Sequence, residues 1–139
     1  MGKLLERLRD PEASGVYRAT RVDEIADAVR GSKLNFARIR IIGKTSFMRD
    51  ISSALGFPAW FGENWDALED CLTDLSWCVA EGHVLVFEGF QAMSDDDVGV
   101  LIDVLITAAE FWAGQGRPFF AVLIDPDHLL QMADLFREA

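Results

Sequence analysis

Cysteine and histidine are both scarce in this sequence, with two of each, and that scarcity removes whole classes of function. Cys71 and Cys78 form neither a CxxC pair nor a Cys/His cluster of zinc-like spacing, so they read as reduced thiols of a cytosolic chain. There is no nucleophile elbow, P-loop or metal motif. Long hydrophobic runs are missing too, and nothing approaches the ~20 residues of a membrane span. In the N-terminal stretch MGKLLERLRDPE, Glu6, Arg7 and Arg9 break up the apolar positions, so it lacks the continuous apolar core of a secretory signal. The cytoplasm follows by elimination. Positive charge is in short supply, 13 Lys and Arg against 23 Asp and Glu, and the formal net charge of −10 repels phosphate backbones. Lys3, Arg7, Arg9, Arg18 and Arg21 are interleaved with acids and form no basic patch, so nucleic acid is not expected as a partner.

Half of the 139 residues are hydrophobic, enough for one compact core. Residues 1–15 read as a short charged helix and a loop around Asp10-Pro11 and Ser14-Gly15. Residues 16–19 suit a short edge strand, and 23–29 a helix stopped by Gly31-Ser32. Residues 36–42 read as a strand ending at Gly43, and 45–55 as a helix with Phe47, Ile51, Ala54 and Leu55 on one side and Gly56 as its stop. The apolar run 83–87 has the length and β-branched content of a buried central strand, with His83 a strand-end residue rather than a ligand. Ser94 before Asp95, Asp96 and Asp97 reads as an N-cap with an acidic first turn, opening a helix over 96–112. Residues 119–124 suit another buried strand, and Asp125-Pro126-Asp127 is expected to open a terminal helix through Phe136 that buries Leu129, Leu130, Ala133 and Phe136. Strands separated by such helices pair in parallel. The expected fold is therefore α/β, a small three-stranded parallel sheet packed with helices. Residues 1–35 form an N-terminal extension on or near the core, and residues 36–139 form the domain with its C-terminal helix.

The stretch 57–75, FPAWFGENWDALEDCLTDL, stands apart from this scaffold. Phe57-Pro58, Gly62 and Asn64 supply a turn, left-handed tolerance and a helix N-cap in that order. In a helix over 65–75, Leu68, Cys71, Leu72 and Leu75 share one side, while Trp65, Asp66, Glu69, Asp70 and Thr73 share the other. Asp66 suits the positive end of the helix dipole, but Asp70, one turn on, repels it by a few tenths of a kcal/mol. Such a face is either the solvated surface of an acidic protein or a binding surface for a cationic partner. Trp60, Phe61 and Trp65 favour binding, because large aromatics beside carboxylates resemble interface anchors.

The run Trp60-Phe61-Gly62-Glu63-Asn64-Trp65-Asp66-Ala67-Leu68-Glu69-Asp70-Cys71-Leu72-Thr73 resembles, without gaps, the signature of the barstar family of intracellular ribonuclease inhibitors. The resemblance covers about residues 38–123 and implies the same small parallel α/β fold, no cofactor and no catalytic activity. It also implies that the acidic helix plugs the active site of a small basic, barnase-like ribonuclease. Asp70 then matches the most buried interfacial aspartate, Asp66 the second, and Trp60 the aromatic anchor. Asn64, Trp65 and Thr73 match positions lining the same contact, and Gly62 and Glu69 complete the expected partner-binding set.

Several departures from the family's namesake matter. Glu69 stands where the namesake has an aromatic, Trp60 replaces a tyrosine, and a further acidic contact falls at Glu110 or Phe111 depending on alignment. Two other functions compete with inhibition. One is an adaptor with a partner other than a ribonuclease, since a fold does not fix a function. The other is a hydrolase using Asp66 with Asp70 or Glu63 as an acid/base or metal-binding pair, which lacks the remaining groups such a site requires. The partner's identity and the oligomeric state are left open.

Overall fold

The computed structural model describes residues 2–136. Helix α1 (Lys3–Leu8) and a 3-10 turn (Pro11–Ala13) precede strand β1 (Gly15–Ala19), helix α2 (Asp23–Val29) and strand β2 (Leu34–Arg40). Helices α3 (Lys44–Leu55) and α4 (Trp65–Leu72) follow, then β3 (Gly82–Glu88), a second 3-10 turn (Phe90–Ala92), α5 (Asp95–Gly114) and β4 (Phe119–Ile124). The sheet has four strands in the order β1-β4-β3-β2, and every pairing is parallel. The expected three-stranded sheet is thus short by one strand. β1 is not an accessory: it lies along β4 from Gly15 opposite Phe120 to Ala19 opposite Ile124, completing one edge.

Side chains alternate across the sheet into two cores. Leu85, Phe87, Phe119, Ala121 and Leu123 face α3, α4 and α5. Val84, Val86, Phe120 and Val122 face the other way, onto Leu8 of α1 and Ile25 and Val29 of α2. Because β3 and β4 are buried on both faces, they read as unbroken apolar runs. The N-terminal elements therefore back the sheet and leave the α4 side open.

Local signals set the element ends. Gly56 closes α3 in the left-handed region at φ 65°, and the Ser94 hydroxyl caps α5 by accepting from Asp97 N at 3.1 Å. Beyond β3, Gly89 has φ 86° and passes against the Ile41 carbonyl, where a Cβ would collide.

The terminal helix expected over 127–136 does not form. The Asp125 carboxylate accepts from Leu129 N at 2.9 Å and Leu130 N at 2.8 Å, which holds the chain in a turn, and His128 follows the left-handed region at φ 57°. Beyond it the chain runs beside β1, with Arg18 N donating to Ala133 O at 2.9 Å and Leu135 N to Arg18 O at 2.8 Å. Leu135 is the residue buried here, while Leu129 is 59% exposed, Phe136 40% exposed, Ala133 exposed and Leu130 only partly covered.

His83 sits inside β3, buried against Trp112 and Phe119, with the Asn35 amide donating to its Nδ1 at 3.1 Å. Burial, with the positive charge of Arg117 nearby, pushes its pKa down from 6.5 to about 4. Between those values the unfolded chain binds a proton that the folded chain refuses. The neutral ring's contribution is therefore complete above pH 6.5 and is lost as pH falls through 4, by about 3 kcal/mol. Urea unfolding at a series of pH values is expected to show this loss, and His83→Gln to flatten it. An unchanged slope in the variant would assign the loss to other groups.

Candidate functional site

The turn before α4 is built on aromatic packing. Phe57 meets Phe61 edge-on at 4.8 Å and Trp77 at 6.0 Å, and the Trp77 indole donates to Leu55 O at 2.9 Å. With Phe57 and Phe61 anchored, Trp60 is left 61% exposed. Asn64 is the N-cap, its Oδ1 accepting from Ala67 N at 2.8 Å. The left-handed residue expected at Gly62 is instead Glu63, at φ 56°. Gly62 matters through proximity: a Cβ there would lie 3.3 Å from the Asn64 amide nitrogen.

Because L-residues disfavour the left-handed region, strain is held at Glu63 beside the cap. Glu63→Gly is expected to raise stability by about 0.5–1 kcal/mol, read as a higher urea midpoint at unchanged slope. A lower midpoint would mean that the Glu63 side chain makes stabilising contacts exceeding that strain.

Helix α4 separates its faces sharply. Leu68, Cys71 and Leu72 are fully buried, and Leu75 joins them from beyond the helix end by turning left-handed at φ 48°. Asp66, Glu69 and Asp70 all face solvent. Among the described residues, none of the three has a cation within ion-pairing distance, although Arg38, Lys44 and Arg18 elsewhere are paired with Glu88, Asp97 and Asp134. Glu63 and Asp74, at either end, are exposed and also unpaired among the described residues. The fold thus concentrates carboxylates that repel one another, and no cation of the described residues pairs with any of them.

Two of the candidate residues play a more structural part than their spacing suggested. Trp65 is half-buried, its ring 6.1 Å from that of Phe47. Thr73 is half-buried and donates its hydroxyl to Glu69 O at 2.8 Å, closing the last turn. The end of α4 is tied to α5 by Trp112, whose indole donates to Leu72 O at 2.7 Å. Phe111, partly exposed, packs edge-on against Trp112 at 5.2 Å, and Glu110 is exposed. Burial raises the Cys71 thiol, helped by the Asp70 and Asp74 charges, and burial raises Cys78.

One feature escaped sequence reasoning. Lys44, Thr45 and Met48 from the first turns of α3 meet Glu63, Asn64 and Trp65 around a cleft of about 360 Å³. In the sequence these two triplets lie in separate segments, and nothing in either signals the other.

The geometry defines a parallel α/β protein that presents an acidic helix with no ion pair among the described residues, flanked by an exposed indole. The model of one family, described as Barstar (barnase inhibitor), matches residues 32–124, from just before β2 to the end of β4. The chain belongs to the barstar family. Among curated proteins, none matches it. In the described residues, no helix is long and apolar enough to cross a membrane.

Proposed function

We propose that this protein inhibits a small basic ribonuclease by inserting α4 and its preceding turn into the enzyme's active site, with no chemistry of its own. One observation carries the proposal: Asp66, Glu69 and Asp70 project together from one helix face with no cation of the described chain to neutralise them. A ribonuclease cleft lined with Arg, Lys and His to hold phosphates is a complementary surface. In this reading Asp70 takes the place of the central phosphate and Asp66 of a neighbouring one. Trp60 packs against the cleft wall, and Asn64 and Thr73 fix the two ends of the helix so that little order must be gained on binding. Gly62 and Trp65 shape the rim, and Glu69 adds charge at the surface. The net charge of −10 steers the encounter with a cationic enzyme. Two thiols without a disulfide suit a reducing cytoplasm, where an inhibitor of this kind protects cellular RNA.

Titrating barnase with the protein, using RNA cleavage as the readout, tests this directly. Activity is expected to fall to zero at one equivalent, and full activity at a large excess of the protein would overturn the proposal.

A further inference from the structure

We infer that the cleft between the first turns of α3 and α4 receives one arginine or lysine side chain of the partner, and so helps to select which ribonuclease is bound. The inference takes the partner's identity from the proposed function, but the chemistry of the cleft stands without it.

The floor is apolar. Met48 is 6% exposed, and the half-buried Trp65 lines the same wall. Among the described residues, the charged groups and the Asn64 amide that line it are matched within the protein, with one exception. Lys44 Nζ lies 3.5 Å from Asp97 Oδ1, so the wall's own cation is already paired. Asn64 Oδ1 caps α4, and its amide donates to Gly62 O at 3.3 Å. Glu63 is the exception, since its carboxylate has no ion pair among the described residues. The charged lining residues are Lys44 and Glu63, and because Lys44 is already paired with Asp97, the charge left uncompensated at the cleft is the Glu63 carboxylate. An occupant with an aliphatic stem and a cationic tip fits: stem against Met48, head over the Trp65 ring and beside Glu63. The cleft shares Asn64 and Trp65 with the acidic ridge, so a basic partner lying over Asp66 also covers the cleft mouth.

The uncapped N-terminus of α3 draws in the opposite direction, towards an anion, and the test must separate the two. The full chain, with labelled Met48 methyl and Trp65 indole groups, is titrated by NMR with N-acetyl-arginine amide, N-acetyl-norleucine amide and N-acetyl-glutamate amide. The arginine probe is expected to shift Met48 and Trp65 saturably and to bind about threefold or more tightly than norleucine. Glu63→Gln is expected to remove most of that difference without lowering the melting temperature. Equal or tighter binding of norleucine or glutamate would overturn the inference. So would arginine-induced shifts confined to the outer face of α4, or an arginine preference undiminished in Glu63→Gln. Because the probes need no ribonuclease, a failure here leaves the occlusion proposal standing, and a failure to inhibit barnase leaves this result standing.

Discussion

Asp70→Ala is expected to weaken binding to the target ribonuclease by about 4 kcal/mol, roughly a thousandfold in Kd, while leaving the melting temperature nearly unchanged. That size is general for a desolvated interfacial carboxylate, for which the family's namesake is itself a standard example. The two halves of the expectation have different causes. In the free protein Asp70 is exposed and has no ion pair among the described residues, so truncation removes no stabilising contact and relieves repulsion from Asp66. In the proposed complex the same carboxylate is enclosed by the enzyme's phosphate-binding cations, and its removal would strand them in a dry cleft. Isothermal titration with barnase and a thermal melt give both values. Equal affinity in variant and parent would remove the phosphate-mimic role. If instead the carboxylates were catalytic, the isolated protein would turn over a substrate and lose that turnover with the same substitution.

The second large effect concerns stability. Asp125→Ala is expected to cost about 3–5 kcal/mol of folding free energy and to lower the melting temperature by about 10–17 °C. Asp125 is 0% exposed and holds three groups at once: the amides of Leu129 and Leu130, and Arg18, whose Nε lies 3.5 Å from Asp125 Oδ2. Arg18 is itself buried, with Nη1 donating to Asp134 at 2.7 Å and Nη2 to the Asp125 carbonyl at 2.9 Å. Removing the carboxylate leaves a buried guanidinium undercompensated and two amides without acceptors, and it frees the segment that covers the β1 edge.

Burial alone would raise the Asp125 pKa, but the two amides and Arg18 together outweigh it and hold the carboxyl below its usual value. A depressed carboxylate stabilises the fold above the unfolded value, near 4, and that contribution is lost as pH falls through the folded one. The variant is therefore expected to lose this acid limb while still inhibiting ribonuclease at temperatures where it is folded. A variant as stable as the parent would show that the C-terminal segment is held by other means.

The organising helix was legible because its signals are local. Asn64 and Ser94 act as N-caps, Gly56 as the stop of α3, and the spacing of Leu68, Cys71 and Leu72 places the buried face of α4. The apolar runs of β3 and β4 were equally plain, because strands buried on both sides need no polar alternation. What was missed depends on distant partners. The edge strand expected over 16–19 forms as β1, but its membership of the sheet was not counted, because only the pairing with β4 and the Arg18 contacts to Asp125 and Asp134 fix it there. The terminal stretch has helical spacing, yet the Asp125 side chain competes for the same amides and wins. Glu63 takes the left-handed turn expected of its glycine neighbour, a choice that nothing in the residue types announces. The aspartates and Trp60 are presented to solvent as expected, whereas Trp65 and Thr73 also hold the helix in place.

Competition between the inhibitor and a small active-site ligand tests most directly whether α4 occupies a catalytic cleft. Inhibition of barnase by this protein would be measured at rising concentrations of a mononucleotide that fills the phosphate site. Occupation of the cleft predicts an apparent inhibition constant that climbs in proportion to nucleotide concentration. An inhibition constant unmoved by saturating nucleotide would place the bound protein elsewhere on the enzyme and contradict the plug.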